Sequence, residues 1–432
     1  MADERPTPRA DWRVIALLVL LTFGLRMIGV LTRYGIVESD VGAWRDLGRQ
    51  LLEGERIFRE ATFTRSGYPP VWLYMSAGWV WLENLTGISF EVFPKMLISL
   101  ADGGTAALIY ALLTRQGIRT RAALGWALLF AINPVSIFDT CIHSAVDPLV
   151  FFLTVWALAI ITGGPPTDRR VALVGLLLGT GTMIKLIPSF FFPLYALYVA
   201  RQRPDDWRRP VIILGAFTVG PFLLTNVPLV LRGEWAGLIR PLTLAGIGGL
   251  ADFGLMPVLQ LLGAPIHGVG GHPGLQLPDV WLIDDALGWY LSRGKVLVTL
   301  KMTWAVSNLP VLIFLGIRRR WELTRLHQVV ILMAYVLAGT GAAHYLMWVL
   351  PFAMIRRDRW VIVYSLLASL GQMLFYLANI PRLMIGPSAP LSLPVFDTPY
   401  LVAASVLWAF SLTWLIALIR QPDQPPSGQG AD

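Results

Sequence analysis

Two carboxylates two residues apart, Glu38 and Asp40, flank Ser39 in a short polar stretch. Such a pair can share a divalent cation, or one can act as a general base while the other tunes its pKa. Asp40 could equally cap a helix that begins there, because an N-cap carboxylate accepts backbone N–H bonds. His143 and Asp147 are four residues apart, so on one helix they would share a face and could orient a hydroxyl group or each other. Lys185 lies in Met183-Ile184-Lys185-Leu186-Ile187-Pro188. A lysine there can snorkel to a membrane interface or offer a point charge to phosphate. Pro188 ends the helix just beyond it and frees backbone groups for a ligand. His344 is placed in the same way, before Tyr345 and a short segment containing Pro351, and Arg382 adds a further cation. No His-Glu-x-x-His motif occurs, and the signal for metal is weak throughout.

The elements that must position these residues are dictated by composition. Of 432 residues, 55% are hydrophobic and 14% charged, with a mean hydropathy of +0.61. An ordinary soluble domain carries about 25% charged residues. Too little polar side chain is present to cover several water-exposed surfaces, so most of the chain must face lipid or its own interior. A separate nucleotide-binding domain is excluded by the same argument. Lys and Arg number 35 against 27 Asp and Glu, a formal net charge of +8. The basic residues collect in short loops between apolar runs, as in cytoplasmic loops of membrane proteins, and imply no nucleic-acid partner. Cys141 is the single cysteine, which rules out an intramolecular disulfide and a Cys-based zinc site. The 17 Trp and 12 Tyr suit membrane interfaces.

Hydropathy gives about twelve candidate segments, each judged against the roughly 20 apolar residues a span requires. They cover 14–31, 93–113, 122–139, 147–162, 171–187, 188–200, 210–231, 296–317, 327–343, 345–355, 360–380 and 400–419. The fold class is therefore all-α and polytopic, with about 10–12 transmembrane helices in a single integral-membrane domain over residues 1–420. The first run follows Arg5, Arg9 and Arg13 and reads as a retained signal-anchor with a cytoplasmic N-terminus. Alternation puts both termini in the cytoplasm and two long loops, 33–92 and 232–295, outside it. Within the first loop, 41–58 carries Trp44, Leu47, Leu51 and Leu52 at helical spacing among charges, the pattern of a helix lying on the membrane surface. Tyr68-Pro69-Pro70 opens a second interfacial run to Leu82, and the tail 421–432 reads as disordered. Runs 188–200 and 345–355 hold prolines and read as broken or re-entrant, which is tolerated only against protein or a water-filled cavity.

On this topology Glu38, Asp40, His143, Asp147, Lys185, His344 and Arg382 all fall at external helix ends. Asp102 is different: it lies mid-helix in 93–113, where a carboxylate without a partner is costly. Arg26 lies roughly 8 Å below the external end of the first helix and Asp102 roughly 13 Å below its own, so the two could pair. A structural role is the favoured reading for that pair.

The order of these features resembles the GT-C class of integral-membrane glycosyltransferases, especially mannosyltransferases that use polyprenyl-phosphate mannose and those of the GPI type. The residues that carry the resemblance are Glu38-Ser39-Asp40, Trp44, Leu51-Leu52-Glu53-Gly54 and Gly67-Tyr68-Pro69-Pro70 in the first loop. Further on come Lys95 to Asp102, Asn133-Pro134 with Asp147, Lys185-Leu186-Ile187-Pro188, and His344-Tyr345-Leu346-Met347-Trp348 through Pro351. Together they span about residues 10 to 360 in order. The first acid is Glu38 rather than the Asp of an Asp-x-Asp pattern, which leaves a divalent cation at Glu38 and Asp40 open.

The resemblance implies that Asp40 is the catalytic base, with Glu38 beside it. It implies a polyprenyl-phosphate sugar donor in the lipid bilayer, mannose first, and an acceptor that is a glycan, lipid or protein. Lys185, with His344 or Arg382, would hold the donor phosphate, and His143, Asp147 and Tyr68 would position substrate. An external site has no access to cytoplasmic nucleotide sugars, so a donor presented in the membrane fits the topology independently. Two rivals remain: a transporter or flippase, which would be expected to show internal repeats and a site near the bilayer midplane, and a glycan ligase using a diphosphate-linked donor. Arg232, Arg240 and Arg293 in the second long loop suit the ligase.

Overall fold

The computed structural model describes residues 10–32, 39–58, 68–234, 253, 255–261, 314, 316, 318–319, 321–337, 342–385, 388–390 and 392–422. Among them every regular element is a helix and no β-strand forms. In chain order these are α1 (Trp12–Thr32), α2 (Ser39–Leu52), α3 (Pro70–Thr86), α4 (Val92–Arg115), α5 (Thr120–Ala131), α6 (Pro134–Ile137), α7 (Asp147–Ile161) and α8 (Asp168–Ile184). There follow α9 (Phe192–Gln202), α10 (Arg208–Leu231), α11 (Leu255–Leu261), α12 (Leu323–Leu337), α13 (Leu350–Ile355), α14 (Trp360–Asn379), α15 (Arg382–Ile385) and α16 (Asp397–Arg420).

Five helices among the described residues are long and apolar enough to cross a membrane: α1, α4, α10, α14 and the segment ending in α16. Their outer faces fit lipid rather than water. On α1, Leu17, Leu20 and Ile28 are 65%, 66% and 62% exposed, while the buried residues Leu18, Thr22, Arg26 and Val30 recur every fourth position. Spacing by four keeps one stripe facing α4 and leaves the rest of the helix apolar and outward. In water such a surface would be a large association patch; in hydrocarbon it is the expected boundary.

Among the described residues, several of the remaining hydropathy runs fall short of a full span. Asp147–Ile161, Leu323–Val336 and Ala343–Ile355 form shorter apolar helices. Run 188–200 begins with a 3₁₀ turn, Ile187–Phe191, before α9, as its prolines suggested. Run 296–317 and loop 232–295 lie largely outside the described residues, as do Glu38 and most of the tail. The charged surface segment is a helix only to Leu52, and the chain then turns through Gly54 at φ 82. Val41, Trp44 and Leu47 bury against α3, whereas Leu52 is 46% exposed, one step off the apolar face.

The run 122–139 is also corrected. Pro134 has no N–H to continue the ladder of α5 and its ring would strike the preceding turn. The helix therefore stops at Ala131, restarts as α6 and passes into a π-helical turn, Phe138–His143, with a bend of 42°. Asn133 caps the restart by accepting from the Val135 amide at 3.1 Å, and donates its own amide to Ser365 Oγ at 2.8 Å. If this bent pair is one span, six segments can cross.

The break is braced from α1. Arg26, fully buried, donates from Nε to Asp102 Oδ2 at 2.9 Å and from Nη2 to Ser136 Oγ at 3.0 Å, and its Nη1 reaches the Ala131 carbonyl. Ser136 and Thr140 also donate to Asp102. The pair expected from the isolated mid-helix carboxylate is thus formed, and it also takes up a carbonyl that the proline break had freed.

Opposite ends of the bundle differ in charge. Arg203 and Arg209 pair with Asp168 at 2.7 and 2.9 Å, Arg115 bonds the Ala159 carbonyl at 2.7 Å, and Arg356 bonds Gln421 at 2.9 Å. These contacts gather the arginine-rich connections at one end. Asp40, Tyr68, His143, Asp147, Lys185 and His344 lie at the other.

Candidate functional site

The site is assembled from four helix termini and the turn between α12 and α13. The π-helical turn ends at His143, and Ser144 takes left-handed backbone at φ 60 before α7 starts at Asp147. His143 and Asp147 therefore do not share a helix face, contrary to the reading from their four-residue spacing. They are brought together by the sharp turn. Lys185 leaves α8 in extended backbone, φ −152 and ψ 136, which swings its side chain off the helix axis. His344 sits in a 3₁₀ turn, Ala343–Met347, that leads into α13.

Asp147 is the anchor. It is fully buried, and Lys185 Nζ donates to its Oδ1 and Oδ2 at 3.0 and 2.8 Å, while Trp348 Nε1 donates to Oδ1 at 2.7 Å. The third face of the ammonium meets His344 Nε2 at 3.2 Å, with the Tyr345 ring centroid 4.9 Å away. Lys185 thus carries a full set of partners, with a cation–π contact in addition. The His344 ring stacks on His143 at 4.6 Å, and His143 in turn lies 5.9 Å from Tyr376.

Asp40 stands in the first turn of α2, where the helix N-terminus favours a carboxylate. Its Oδ2 accepts from the Tyr68 hydroxyl at 3.3 Å. Tyr68 is held edge-on to Trp44 at 5.2 Å, and Trp44 packs edge-on to Trp72 at 5.0 Å. The first-loop aromatics thereby fix the phenol. Burial, and after it the carboxylates of Asp40 and Asp147, push the Tyr68 phenol well above its ordinary value, so it keeps its proton and remains a donor to Asp40.

Six of the residues singled out from sequence, Asp40, Tyr68, His143, Asp147, Lys185 and His344, therefore fall in one neighbourhood. Arg382 is at the same end, in α15 beside the π-helical turn, but is exposed and donates to the Ala389 carbonyl at 3.0 Å. Glu38 lies outside the described residues. Among those described, no group of three or more His, Cys, Asp or Glu converges as a metal site.

Several residues entered the site without a role having been read for them. Trp348 and Tyr345 flank Lys185. Asp139, in the π-helical turn, is fully buried with neither carboxylate oxygen hydrogen-bonded, and both ring nitrogens of His143 are likewise unbonded. The signal for Asp139 was the same as for Asp102, an acid inside an apolar run. Buried polar atoms without partners are costly to keep, and they collect where a ligand or a reaction uses them. No family model matches the chain.

Proposed function

We propose that this chain is an inverting, integral-membrane glycosyltransferase of the GT-C type. In this reading it moves a sugar, mannose first, from a polyprenyl-phosphate donor to an acceptor hydroxyl at the extracytoplasmic face. The observation that carries the reading is the gathering of Asp40, Tyr68, Asp147, Lys185 and His344 at the end of the bundle opposite the arginine-rich connections.

The chemistry follows from these groups. Asp40 takes the proton of the acceptor hydroxyl as that oxygen bonds to the anomeric carbon. A positioned base of this kind contributes roughly 10²- to 10⁴-fold. The bond from the anomeric carbon to the phosphate oxygen breaks, and its electron pair leaves on polyprenyl phosphate. A single displacement inverts the anomeric centre. Lys185 stabilises the leaving charge. It keeps Asp147, and the proton directed at His344 is the one a phosphate oxygen takes. Asp147 and Trp348 hold the lysine in place, His143 packs behind His344, and the exposed Arg382 meets the phosphate from the water side. The prenyl chain lies between helices in hydrocarbon. A divalent cation at Asp40 would need Glu38 as a second ligand.

The test is transfer of radiolabelled sugar from synthetic polyprenyl-phosphate mannose or glucose to a membrane extract, with and without EDTA. The purified chain is compared with Asp40→Asn. Transfer by the native chain and its loss in the variant are expected. Equal transfer by Asp40→Asn would remove Asp40 from the mechanism. No transfer from either donor would overturn the donor class and favour the diphosphate-donor ligase or the transporter.

A further inference from the structure

At the end of the bundle opposite this site, a cavity of about 540 Å³ opens between α5, the turn from α13 to α14, and Gln421 just past the end of α16. Its lining includes Arg356, Arg357, Asp358, Arg359, Trp126 and Trp360. The turn passes through left-handed backbone at Arg357, φ 56, so three arginines fall within four residues without extending either helix.

The charge in this cavity is offset only in part from within, by Asp358 against three arginines. Asp358 spends its carboxylate inward: Oδ1 accepts from the Trp360 amide at 3.1 Å, and Oδ2 from Gln328 Nε2 and Trp414 Nε1 at 2.9 and 2.8 Å. Arg356 bonds only neutral oxygens, Gln328 Oε1 at 3.2 Å and Gln421 Oε1 at 2.9 Å. Arg357 and Arg359 are exposed, and among the described residues neither has a carboxylate within ion-pair distance. A cleft lined by three arginines and one aspartate keeps an excess of positive charge that attracts phosphate, and guanidinium groups match its geometry.

The cavity's other wall points to where that phosphate comes from. Trp126 lies one turn below Ala122 on α5, about 6 Å deeper along the helix. Beside it, a side chain at Gly125 would meet nothing within 4 Å, so the surface of α5 is bare there. α14 continues away from the cavity with Val363, Leu366 and Leu370 exposed at 47%, 66% and 45%. Cations at the bundle end, indoles just below and bare aliphatic side chains beyond match the layers of a phospholipid in order.

We infer that this cavity binds the phosphate of an anionic phospholipid headgroup, with Arg356, Arg357 and Arg359 as its cations and the acyl chains along α5 and α14. The inference does not depend on the transferase reading, because no residue of the proposed reaction takes part.

The experiment is native mass spectrometry of the delipidated full-length chain in detergent. It is titrated with phosphatidylglycerol or phosphatidylcholine of the same acyl chains, and separately with inorganic phosphate. Phosphatidylglycerol should bind about tenfold or more tightly than phosphatidylcholine, in keeping with the attraction of juxtamembrane basic groups to anionic lipid. Arg357→Ala/Arg359→Ala should abolish that preference. Arg169→Ala/Arg208→Ala, which removes two exposed arginines from the first turns of α8 and α10 at the same end, should retain it. Because neither the Arg357 nor the Arg359 side chain has an ion-pair partner among the described residues, an unchanged unfolding temperature shows that the variant is folded. Equal binding of the two lipids, or an unaltered preference in the Arg357/Arg359 variant, would overturn the inference. Full displacement of phosphatidylglycerol by millimolar inorganic phosphate would show a soluble-anion site and overturn its lipid part.

Discussion

Asp147 and Lys185 are each other's main partner, and Asp147 has no exposed surface. Breaking a buried pair by removing one side is costly because the other charge is left uncompensated, typically by about 3–5 kcal/mol. Lys185→Met should therefore lower stability by that order, read as a drop in unfolding temperature in detergent. Asp147→Asn/Lys185→Met should recover most of the loss without restoring sugar transfer. If the double variant were as unstable as Lys185→Met, the pair would not be what Lys185 contributes to the fold. Tyr68 makes a separate prediction. Its phenol gives Asp40 a hydrogen bond, so Tyr68→Phe should slow transfer by about tenfold or less, from a hydrogen bond worth about 0.5–1.5 kcal/mol net. The folded state holds the phenolic proton more tightly than the unfolded chain does. The associated stability is complete below the unfolded value near 10 and is lost as pH rises through the folded one. Alkaline unfolding monitored above pH 10 should accordingly be less steep in Tyr68→Phe. Residue type together with the hydropathy topology selected Asp147, Lys185 and His344, and for Asp40 the resemblance was needed as well. It could not show that Lys185 is already saturated, since that depends on Trp348 and His344 arriving from 159 or more residues away.

At the scale of elements, the site depends on the broken segment from α5 to the π-helical turn. Pro134 lies inside run 122–139, which read as one segment, and the sequence carries no mark of the π turn that follows, because that turn is set by packing against α1 and α14. Asn133→Ala removes a cap and the bond to Ser365, and a lost cap costs about 0.5–2 kcal/mol. Left-handed backbone costs a non-glycine residue roughly 1–2 kcal/mol. Ser144 bears that cost while fully buried with its hydroxyl unbonded. Ser144→Gly should thus raise the unfolding temperature and Ser144→Val lower it; the reverse order would mean the hydroxyl is used. Among the described residues hydropathy also marked runs that are not single long helices, for a physical reason: it registers apolar character but not where a chain stops being helical. Pro134 divides a run that read as continuous, whereas the runs holding Pro188 and Pro351 already read as broken.

At the scale of the whole molecule, separation of the ends is the property to test. In a Cys141→Ser background, single cysteines placed at Arg319 and at Leu85 should react with a membrane-impermeant maleimide from opposite sides of sealed vesicles. Labelling of both from one side would refute the alternation. Helix packing gives a second check. At Gly179 a side chain would come within 2.6 Å of the Phe217 carbonyl of α10, and at Gly175 within 2.8 Å of the Leu214 carbonyl. Small residues four apart let helix backbones meet in membranes. Gly179→Leu should part α8 from α10, displace Lys185 at the end of α8, and lower both stability and transfer.

The Arg26 brace adds a constraint of a different kind, on the order of events during synthesis. Arg26 and Asp102 are 76 residues apart. At roughly 5–20 residues per second, the arginine emerges about 4–15 s before its carboxylate. Throughout that interval the first helix carries a cation with no counterion into the bilayer. Its final seat exists only once α4 and the segment bearing Ala131 and Ser136 have been made, so α1 is locked only after those later segments follow it.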